Sequence, residues 1–168
     1  MLPLFLLVAA FVPLAVEARV AARHDRALRA AGAVEPAGDV YGLMRVAYPA
    51  CFLAMAAEGW IRGAGANSTF AAGLVLFALA KGFKYWAITT LGPRWTFRVL
   101  VPPRSSRVTR GPYRFVRHPN YVAVAGELAG VALMSQAPVA GAASVAGFGL
   151  LMLARIRVEE RAMGSPLG

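Results

Sequence analysis

The sequence contains a single cysteine, Cys51, and few acidic residues. One cysteine excludes a disulfide within the chain. Eight Asp and Glu stand against eighteen Lys and Arg, which gives a formal net charge of +10. Such a charge often indicates nucleic-acid binding, but here the basic residues lie in clusters between long apolar runs rather than over a soluble surface. We therefore expect no nucleic-acid partner, and we also expect no metal site.

Long apolar runs dominate the chain instead. Hydrophobic residues make up 58% of the sequence, and a helix needs roughly 20 mainly apolar residues to cross a bilayer. Three runs approach that length, at 2–20, 40–61 and 69–91, and two shorter ones follow at 120–135 and 139–154. The sequence predicts an all-α integral membrane protein with about five transmembrane helices. The last two would form a C-terminal helical hairpin that either spans the membrane or dips into it and returns.

The distribution of charge predicts the orientation. The first run resembles the core of a signal peptide, but no basic residue precedes it, so we expect a retained first span. Fourteen arginines lie after the first, third and fifth runs, and Arg62 lies between the second and third. Because cytoplasmic loops are enriched in Lys and Arg, the N-terminus is expected outside and the C-terminus in the cytoplasm.

The loops on the predicted cytoplasmic side contain helix and turn signals. The stretch "ARHDRALRAAGAVEPAGD" predicts a short amphipathic helix that ends at Gly32, with His24 on its surface. After the third run, "RVLVPP" alternates like a strand, and its two prolines exclude a continuing helix. We expect an irregular or short extended segment there, lying over the cytoplasmic ends of the helices.

The least apolar stretch of the chain, "RGPYRFVRHPNY", runs directly into an apolar helix. Pro119 suits the first turn of that helix, so His118 is expected at or near its N-cap. A helix N-terminus attracts anions, and Arg114 and Arg117 add charge beside it. The Gly-Pro pair upstream predicts a turn that folds the following residues back over the site. The segment is typical of a site for a small carboxylate or phosphate.

A second polar cluster, "ARIRVEERAMG", follows the last apolar run. Arg155 and Glu159 are four residues apart, which by itself indicates an ion pair within a helix. In an antiparallel hairpin, the end of the last helix also lies beside the start of the one before it. Glu159 and Glu160 are then expected near His118. The site would have anion-binding groups on one wall and carboxylates on the other.

These two motifs carry a family resemblance. "GPYRFVRHPNY", followed by "RIRVEERAM" about forty residues later, resembles the isoprenylcysteine carboxyl methyltransferase family and its relatives among membrane phospholipid methyltransferases. The resemblance implies S-adenosylmethionine as the cofactor, bound on the cytoplasmic side. It implies a pocket whose lining residues are Tyr113, Arg117, His118 and Tyr121. It also implies that Glu159 or Glu160 contacts the amino or hydroxyl groups of the ligand. With Arg114, added for its charge, these residues form the expected cofactor-binding set.

A single domain, 1–168, is expected, because no internal repeat or low-complexity tract interrupts the chain. Residues 1–91 would contain the three N-terminal spans. Residues 92–118 would form the cytoplasmic cofactor-binding segment. Residues 119–168 would form the helical hairpin and the C-terminal Glu-Glu segment.

Three charged residues are predicted to lie within the membrane. Lys81 and Lys84 share a helix face by their spacing, and both a structural role and a site fit them. Glu127 lies in the middle of "VAVAGELAGVAL", where an ionisable group is costly and typically functional. A packed, protonated Glu127 fits the sequence, but we favour a catalytic general base, because methylating a phenol or enol benefits from one. Gly126 and Gly130 predict close helix packing, and the same role is expected of Gly141, Gly147 and Gly149 on the last helix.

The stretch "YWAITTLGPRWTFRVLVPP" is similar to a bacterial subgroup of this family that methylates hydroxyls of polyketide-derived phenolic lipids, such as alkylresorcinols and alkylpyrones. The predicted function is S-adenosylmethionine-dependent O-methylation, in a bacterial inner membrane, of a lipophilic acceptor that enters from the bilayer. The alternatives within the class are prenylcysteine-type carboxyl methylation and phospholipid N-methylation. The alternatives outside the methyltransferase class are an NADPH-dependent steroid-reductase-like enzyme, which shares "RHPNY", and a non-catalytic membrane protein. The acceptor and the oligomeric state stay open.

Overall fold

The computed structural model describes residues 2–103 and 108–164. Five α-helices and two short 3₁₀ helices form within these residues. The helices are α1 (Leu2–Ala30), α2 (Tyr41–Ile61), α3 (Ser68–Leu91), α4 (Pro119–Ser135) and α5 (Pro138–Gly164), with 3₁₀ turns at Gly92–Arg94 and Gly111–Arg114. The predicted all-α class is confirmed. Arg104 and Arg107, which were counted among the loop arginines, lie outside the described residues.

Three helices in the described part of the chain, α1, α3 and α5, are long and apolar enough to cross a membrane. Helix α4 has only 17 residues. Large apolar side chains lie on the outer faces of the helices, as with Leu79 and Leu150, which are 67% and 68% exposed. Several charged side chains are buried instead. An apolar exterior around a polar interior suits a lipid environment. The number of membrane spans, expected to be about five, stays a prediction.

Helix α1 is longer than the sequence suggested. The separate amphipathic helix expected in the first loop is wrong, because α1 continues without a break to Ala30. Every residue between the apolar run and Ala30 tolerates a helix, so nothing stops it earlier. Gly32 then adopts a left-handed φ of 83°, and the Ala33 amide donates to the Leu28 carbonyl at 2.9 Å. This is the usual way in which a glycine ends a helix, and the predicted end at Gly32 is confirmed.

Helices α3 and α4 pack closely through glycines. A Cβ at Gly130 would lie 2.8 Å from the backbone nitrogen of Phe77, and one at Gly126 would lie 2.9 Å from an α3 side chain. On α3, a Cβ at Gly73 would lie 2.5 Å from the backbone nitrogen of Met134. The close packing predicted for Gly126 and Gly130 is confirmed, because only hydrogen fits at these positions.

Helices α4 and α5 are separated by only two residues and run alongside each other. A Cβ at Gly141 would lie 2.6 Å from the Ala132 Cβ, so this glycine also serves close packing. Gly147 and Gly149, for which the same role was expected, face open space, with nothing within 4 Å of an added Cβ. Their role in helix packing is therefore not supported.

The helices share two ends. At the first, which we call the basic end, α1, α3 and α5 finish and α2 and α4 begin. At the opposite, far end, Glu58 of α2 accepts hydrogen bonds from the amides of Val139 and Ala140, at 3.3 and 2.6 Å. These amides belong to the first turn of α5, where intrahelical acceptors are missing and a carboxylate is favourable. Glu58 therefore fixes the start of α5 against α2.

An extended segment, residues 95–103, covers the basic end, and we call it the strap. Val101 pairs with Val34 in an isolated antiparallel bridge. Arg98 Nη1 donates to Glu35 Oε1 at 2.8 Å, and the Val99 amide donates to Asp39 Oδ2 at 3.0 Å. The strap is thus tied to the loop between α1 and α2. The expected irregular or short extended segment is confirmed.

Candidate functional site

A cavity of about 500 Å³ lies between the helices and under the strap. That volume is within the range of small-molecule sites. Its wall at the basic end contains five of the residues predicted to bind a cofactor, Tyr113, Arg117, His118, Tyr121 and Glu159. Two segments far apart in the sequence therefore meet around one space.

His118 is placed by the start of α4. Pro119 occupies the first turn, and His118 is the N-cap residue, as predicted. Its side chain makes no capping bond to the helix, so the ring is directed to other partners. The α4 amides at this end lack intrahelical acceptors, which leaves a partial positive charge beside the cavity.

The imidazole of His118 lies between two carboxylates of α5. Its Nδ1 is 3.3 Å from Glu159 Oε2, and its Nε2 is 3.4 Å from Glu160 Oε1. The predicted approach of Glu159 and Glu160 to His118 is thus present in the structure. The hydrogen bond to Glu159 raises the pKa of His118 above its usual value, with burial opposing and Glu160 adding to the effect. The site holds a histidine that favours its charged form.

Glu159 is the centre of a wider polar group. Tyr121 donates its hydroxyl to Glu159 Oε1 at 2.5 Å, and Arg155 Nε lies 3.6 Å from the same oxygen. Arg155 is 6% exposed, lines the cavity and approaches Asp39 Oδ1 at 3.9 Å. Sequence reasoning found the Arg155–Glu159 pair but did not assign Arg155 to the site. The sequence signal that could have identified Arg155 is its position directly after an apolar run.

Of the remaining predicted cofactor-binding residues, two line the cavity and one does not. Tyr113 and Arg117 line the cavity. Burial, followed by the negative charge of Glu159, raises the pKa of Tyr113 to about 12. Arg114 is not part of the cavity lining, is exposed, and lies over the Phe115 ring at 5.1 Å. Arg114 thus belongs to the motif in sequence, but its side chain is not part of the cavity wall.

The strap supplies a wall that the sequence did not assign to the site. Trp95 is 2% exposed, lines the cavity, and its Nε1 donates to Asn120 Oδ1 at 3.4 Å. His24 of α1 bonds through Nδ1 to the Trp95 carbonyl at 2.8 Å. The expectation that His24 is simply a surface residue is wrong, because this bond holds the strap against α1.

Away from the basic end, the cavity reaches between the helices. Tyr48 of α2 and Lys84 of α3 line it there, 8% and 2% exposed. Tyr48 also packs against Phe148 of α5, with ring centroids 5.0 Å apart. Phe148 lies seven residues before Arg155 on α5, which is about 10 Å along a helix axis. The cavity therefore extends about two helical turns inward from the polar group at its mouth.

Four charged side chains form a buried cluster behind this inner wall, and we call it the ion square. Each carboxylate oxygen of Glu17 and Glu127 lies near a lysine nitrogen. Lys81 is 2.8 Å from Glu17 and 3.2 Å from Glu127, and Lys84 is 2.6 Å and 3.3 Å from the same two residues. Tyr48 donates its hydroxyl to Glu127 Oε2. Two positive and two negative charges thus balance within the helices.

Glu127, the predicted general base, is fully buried. It is not part of the cavity lining, whereas its partners Tyr48 and Lys84 are. Its catalytic role stays a prediction. Glu17 was missed, although a signal existed: two intramembrane lysines with one carboxylate leave a charge unbalanced, and "LAVEAR" supplies the second acid.

A shallow apolar groove runs along the outside of α4 and α5. Its walls contain Val122, Leu150 and Leu153, and it ends at His118 and Tyr121. Those two residues also line the cavity. The groove and the cavity therefore meet at the same side chains.

Comparisons with known proteins agree with this arrangement. The chain is 28% identical over 149 residues to the uncharacterized protein YpbQ of Bacillus subtilis, covering 89% of each chain. It is 29% identical over 145 residues to an uncharacterized protein of Haemophilus influenzae, covering 86% of this chain and 84% of the relative. No solved structure matches the chain.

A family model matches residues 72–165. This range is more than half of the chain and contains most of α3, all of α4 and α5, and the residues His118, Tyr121, Arg155, Glu159 and Glu160. The matching model describes methyltransferases, which decides against the steroid-reductase alternative. The chain therefore belongs to the isoprenylcysteine carboxyl methyltransferase family and is an integral membrane protein of the methyltransferase class.

Proposed function

We propose that the protein is an S-adenosylmethionine-dependent O-methyltransferase of a bacterial inner membrane that acts on a hydroxyl of a polyketide-derived phenolic lipid. The observation that carries the proposal is that one continuous cavity joins the polar group at the basic end to Tyr48 and Lys84 between the helices. A cofactor at one end and an acceptor at the other would meet in a space shielded from water. Positioning and exclusion of water lower the barrier to transfer.

The polar group fits S-adenosylmethionine in kind. The cofactor, which supplies an electrophilic methyl group on a sulfonium, also carries a carboxylate, an ammonium and ribose hydroxyls. His118 and Arg117 are donors for the carboxylate, and Glu159 is an acceptor for ammonium or hydroxyl groups. Arg155 Nε is buried without a hydrogen-bond partner among the described residues, so one donor is left for a ligand. Buried donors are rarely left unpaired without reason.

The acceptor is proposed to enter sideways from the bilayer. The groove along α4 and α5 is apolar and ends at His118 and Tyr121, where it meets the cavity. An alkyl chain in this groove would stay in contact with lipid while its polar ring reached the cavity. Burial of such a chain is favourable by about 0.8 kcal/mol for each methylene group.

Glu127 is proposed to receive the proton that leaves the acceptor hydroxyl. A phenol with a pKa near 10 is neutral at physiological pH, so it is a weak nucleophile until its proton is removed. Glu127 is the carboxylate that lies behind the inner wall of the cavity and accepts a hydrogen bond from a residue of that wall.

The basic end is proposed to face the cytoplasm, where S-adenosylmethionine is made. Twelve described arginines outside α2, α3 and α4 belong to this end, namely Arg19, Arg23, Arg26, Arg29, Arg94, Arg98, Arg110, Arg114, Arg117, Arg155, Arg157 and Arg161. Arg62 lies at the far end. Since positive loops stay on the cytoplasmic side, this distribution supports the orientation.

Carboxyl methylation is the second candidate. Lys84 lies on the cavity wall, and an ammonium there suits an acceptor carboxylate. A carboxylate is already ionised near pH 7 and needs no base. Glu127→Gln, combined with Lys81→Met so that the buried charges stay balanced, should therefore reduce turnover of a phenolic acceptor strongly and leave turnover of a prenylcysteine acceptor nearly unchanged. Methyl-transfer assays with both acceptors separate the two candidates.

Cofactor binding tests the proposed class directly. The purified protein in lipid nanodiscs should bind S-adenosylmethionine and not NADPH. His118→Ala and Arg117→Ala should each weaken S-adenosylmethionine binding, by roughly 10-fold or more for the loss of a charge-assisted hydrogen bond. Arg157→Ala, an exposed change of the same charge on α5, is the control and should bind normally. If His118→Ala and Arg117→Ala both bind S-adenosylmethionine with unchanged affinity, the polar group is not the cofactor site.

A further inference from the structure

We infer that Tyr48 is the residue that contacts the acceptor hydroxyl, and that the ion square behind it holds the released proton. The inference rests on the proposed function and adds the group through which Glu127 reaches the cavity. Tyr48 and Lys84 both line the cavity and donate hydrogen bonds to Glu127. Of these two, Tyr48 carries the neutral hydroxyl, which can accept a proton from the acceptor as it gives its own to Glu127. An acceptor cannot touch Glu127 itself, because that carboxylate is fully buried.

The position of Tyr48 agrees with a contact to the acceptor rather than to the cofactor. Its ring packs against Phe148 of α5, which also lines the cavity, and against Phe52 one turn further along α2, with ring centroids at 5.0 and 4.7 Å. Both are apolar and suit an aromatic acceptor ring. The cofactor-type groups, His118 and Glu159, lie at the other end of the cavity, about two helical turns away along α5. The side chain of Tyr48 thus lies beside Phe148 and Lys84 at the inner end of the cavity, away from the cofactor-type groups.

The ion square does not need Tyr48 for its own balance. Its two lysines already contact all four carboxylate oxygens. The Tyr48 hydroxyl is an additional donor that connects the square to the cavity. Lys84, which also lines the cavity and lies 5.7 Å from the Tyr48 ring centroid, adds a positive charge beside an acceptor oxygen that loses its proton. A cation at that distance favours the anion in a medium of low polarity.

The step balances in protons and electrons. The acceptor hydroxyl donates to the Tyr48 oxygen, and as its proton passes to Tyr48, the proton of Tyr48 passes to Glu127. The acceptor oxygen forms the new O–C bond with the methyl carbon while the C–S bond breaks and its electron pair stays on sulfur. The products are the methyl ether, the neutral thioether of the cofactor and a protonated Glu127, which later releases its proton to water.

The first experiment measures methyl transfer in nanodiscs with Tyr48→Phe. The acceptors are an alkylresorcinol with a pentadecyl chain and a ring-nitrated analogue that is ionised at neutral pH. With the alkylresorcinol, kcat should fall roughly 10²- to 10⁴-fold, the usual contribution of a positioned proton acceptor. With the nitrated analogue it should change little, since no proton has to leave. Tyr85→Phe, on the outer face of α3 beside Lys84, is the matched control and should behave as wild type.

The second experiment does not depend on turnover. A nitrophenol with the same chain absorbs differently as phenol and as phenolate, so its ionisation in the cavity can be read from its spectrum. At a pH below the pKa of the free probe, wild type should bind it as the phenolate. Tyr48→Phe should bind it as the neutral phenol. Glu127→Gln combined with Lys81→Met, which keeps the buried charges balanced, should do the same, and both variants should retain wild-type affinity for S-adenosylmethionine.

The outcomes separate the inference from the proposed function. A wild-type spectrum without phenolate, or equal loss of turnover for both acceptors in Tyr48→Phe, overturns the role of Tyr48. A phenolate spectrum that disappears in Tyr48→Phe supports it even if wild type methylates neither acceptor. That last result would instead remove the phenolic lipid from the proposed function.

Discussion

At the residue scale, the proposed role of His118 in holding an anionic ligand group makes ligand binding depend on pH. Its pKa is raised by the hydrogen bond to Glu159, with a further contribution from Glu160. A histidine whose pKa is raised on folding adds stability that is complete below its unfolded value of about 6.5 and is lost as the pH rises through the folded value. The charged form that the carboxylates favour is also the form that holds an anionic ligand group.

We therefore predict that the affinity for S-adenosylmethionine falls as the pH rises through the raised pKa of His118. Titration calorimetry of the protein in nanodiscs over a range of pH measures this. Glu160→Gln should move the fall to lower pH, because one favourable carboxylate is removed while the cavity lining stays intact. His118→Gln should bind weakly with no such dependence. A pH profile that is the same in all three proteins would assign the titration to another group.

The ion square allows a test of charge balance at the same scale. Glu17→Gln leaves two buried lysines with one carboxylate. Breaking a buried ion pair on one side costs about 3–5 kcal/mol, so the melting temperature in nanodiscs should fall steeply. Glu17→Gln combined with Lys81→Met restores the balance and should recover most of the loss. If the double variant is less stable than Glu17→Gln alone, charge balance is not what stabilises Lys81 in the ion square.

Sequence reasoning found three of the four charged residues of this square. Lys81, Lys84 and Glu127 are recognisable because ionisable residues are rare within apolar runs. Glu17 lies near the end of the first run, where a charge is ordinary, and only the packing of α1 against α3 and α4 shows that it is buried. Tyr48 carried no signal, since a tyrosine in an apolar run is usually core or interface.

At the scale of elements, proline, glycine and asparagine residues mark where helices begin and end. Pro119 was expected to begin α4 and does, and Asn67 caps α3 by accepting from the Phe70 amide at 3.0 Å. The continuation of α1 to Ala30 was not predicted, because a polar sequence after a span resembles a loop until its helix propensity is considered. Periodicity also does not show which glycines face a neighbour.

Gly130 and Gly147 provide a matched pair for that question. Gly130→Ala places a Cβ 2.8 Å from the Phe77 backbone, so α3 and α4 must separate, and the free energy of unfolding should fall by about 1–3 kcal/mol. Gly147→Ala meets nothing within 4 Å and should be neutral or stabilising by up to about 1 kcal/mol. Thermal unfolding in nanodiscs compares them. Equal effects would contradict the close packing at Gly130.

At the scale of the whole molecule, the proposed orientation places the basic end in the cytoplasm. We predict that a membrane-impermeant thiol reagent applied to intact cells labels Ala66→Cys in the far-end loop and not Ala31→Cys after α1, in a Cys51→Ser background. Both positions are exposed in the structure, so access depends on the side of the membrane. Permeabilised cells should label both. Labelling of Ala31→Cys alone would reverse the orientation.

The cavity itself was only partly predictable. The meeting of His118 with Glu159 follows from a hairpin, which short loops make likely in any sequence with two adjacent apolar runs. The strap and the inner wall depend on how α1, α2 and α3 surround that hairpin, and those contacts have no local signal. Trp95 and Tyr48 are therefore known only from the structure.

The ion square also constrains the order in which the chain is inserted during synthesis. Helix α1 emerges with the carboxylate of Glu17, and α3 follows with Lys81 and Lys84, so the nascent chain carries one surplus positive charge within the bilayer. Lone charges there are costly. The intermediate is neutralised only when α4 delivers Glu127. A chain that stalls after α3 thus leaves one lysine unpaired within the bilayer, so the N-terminal three helices are complete in length but not in charge until α4 is added.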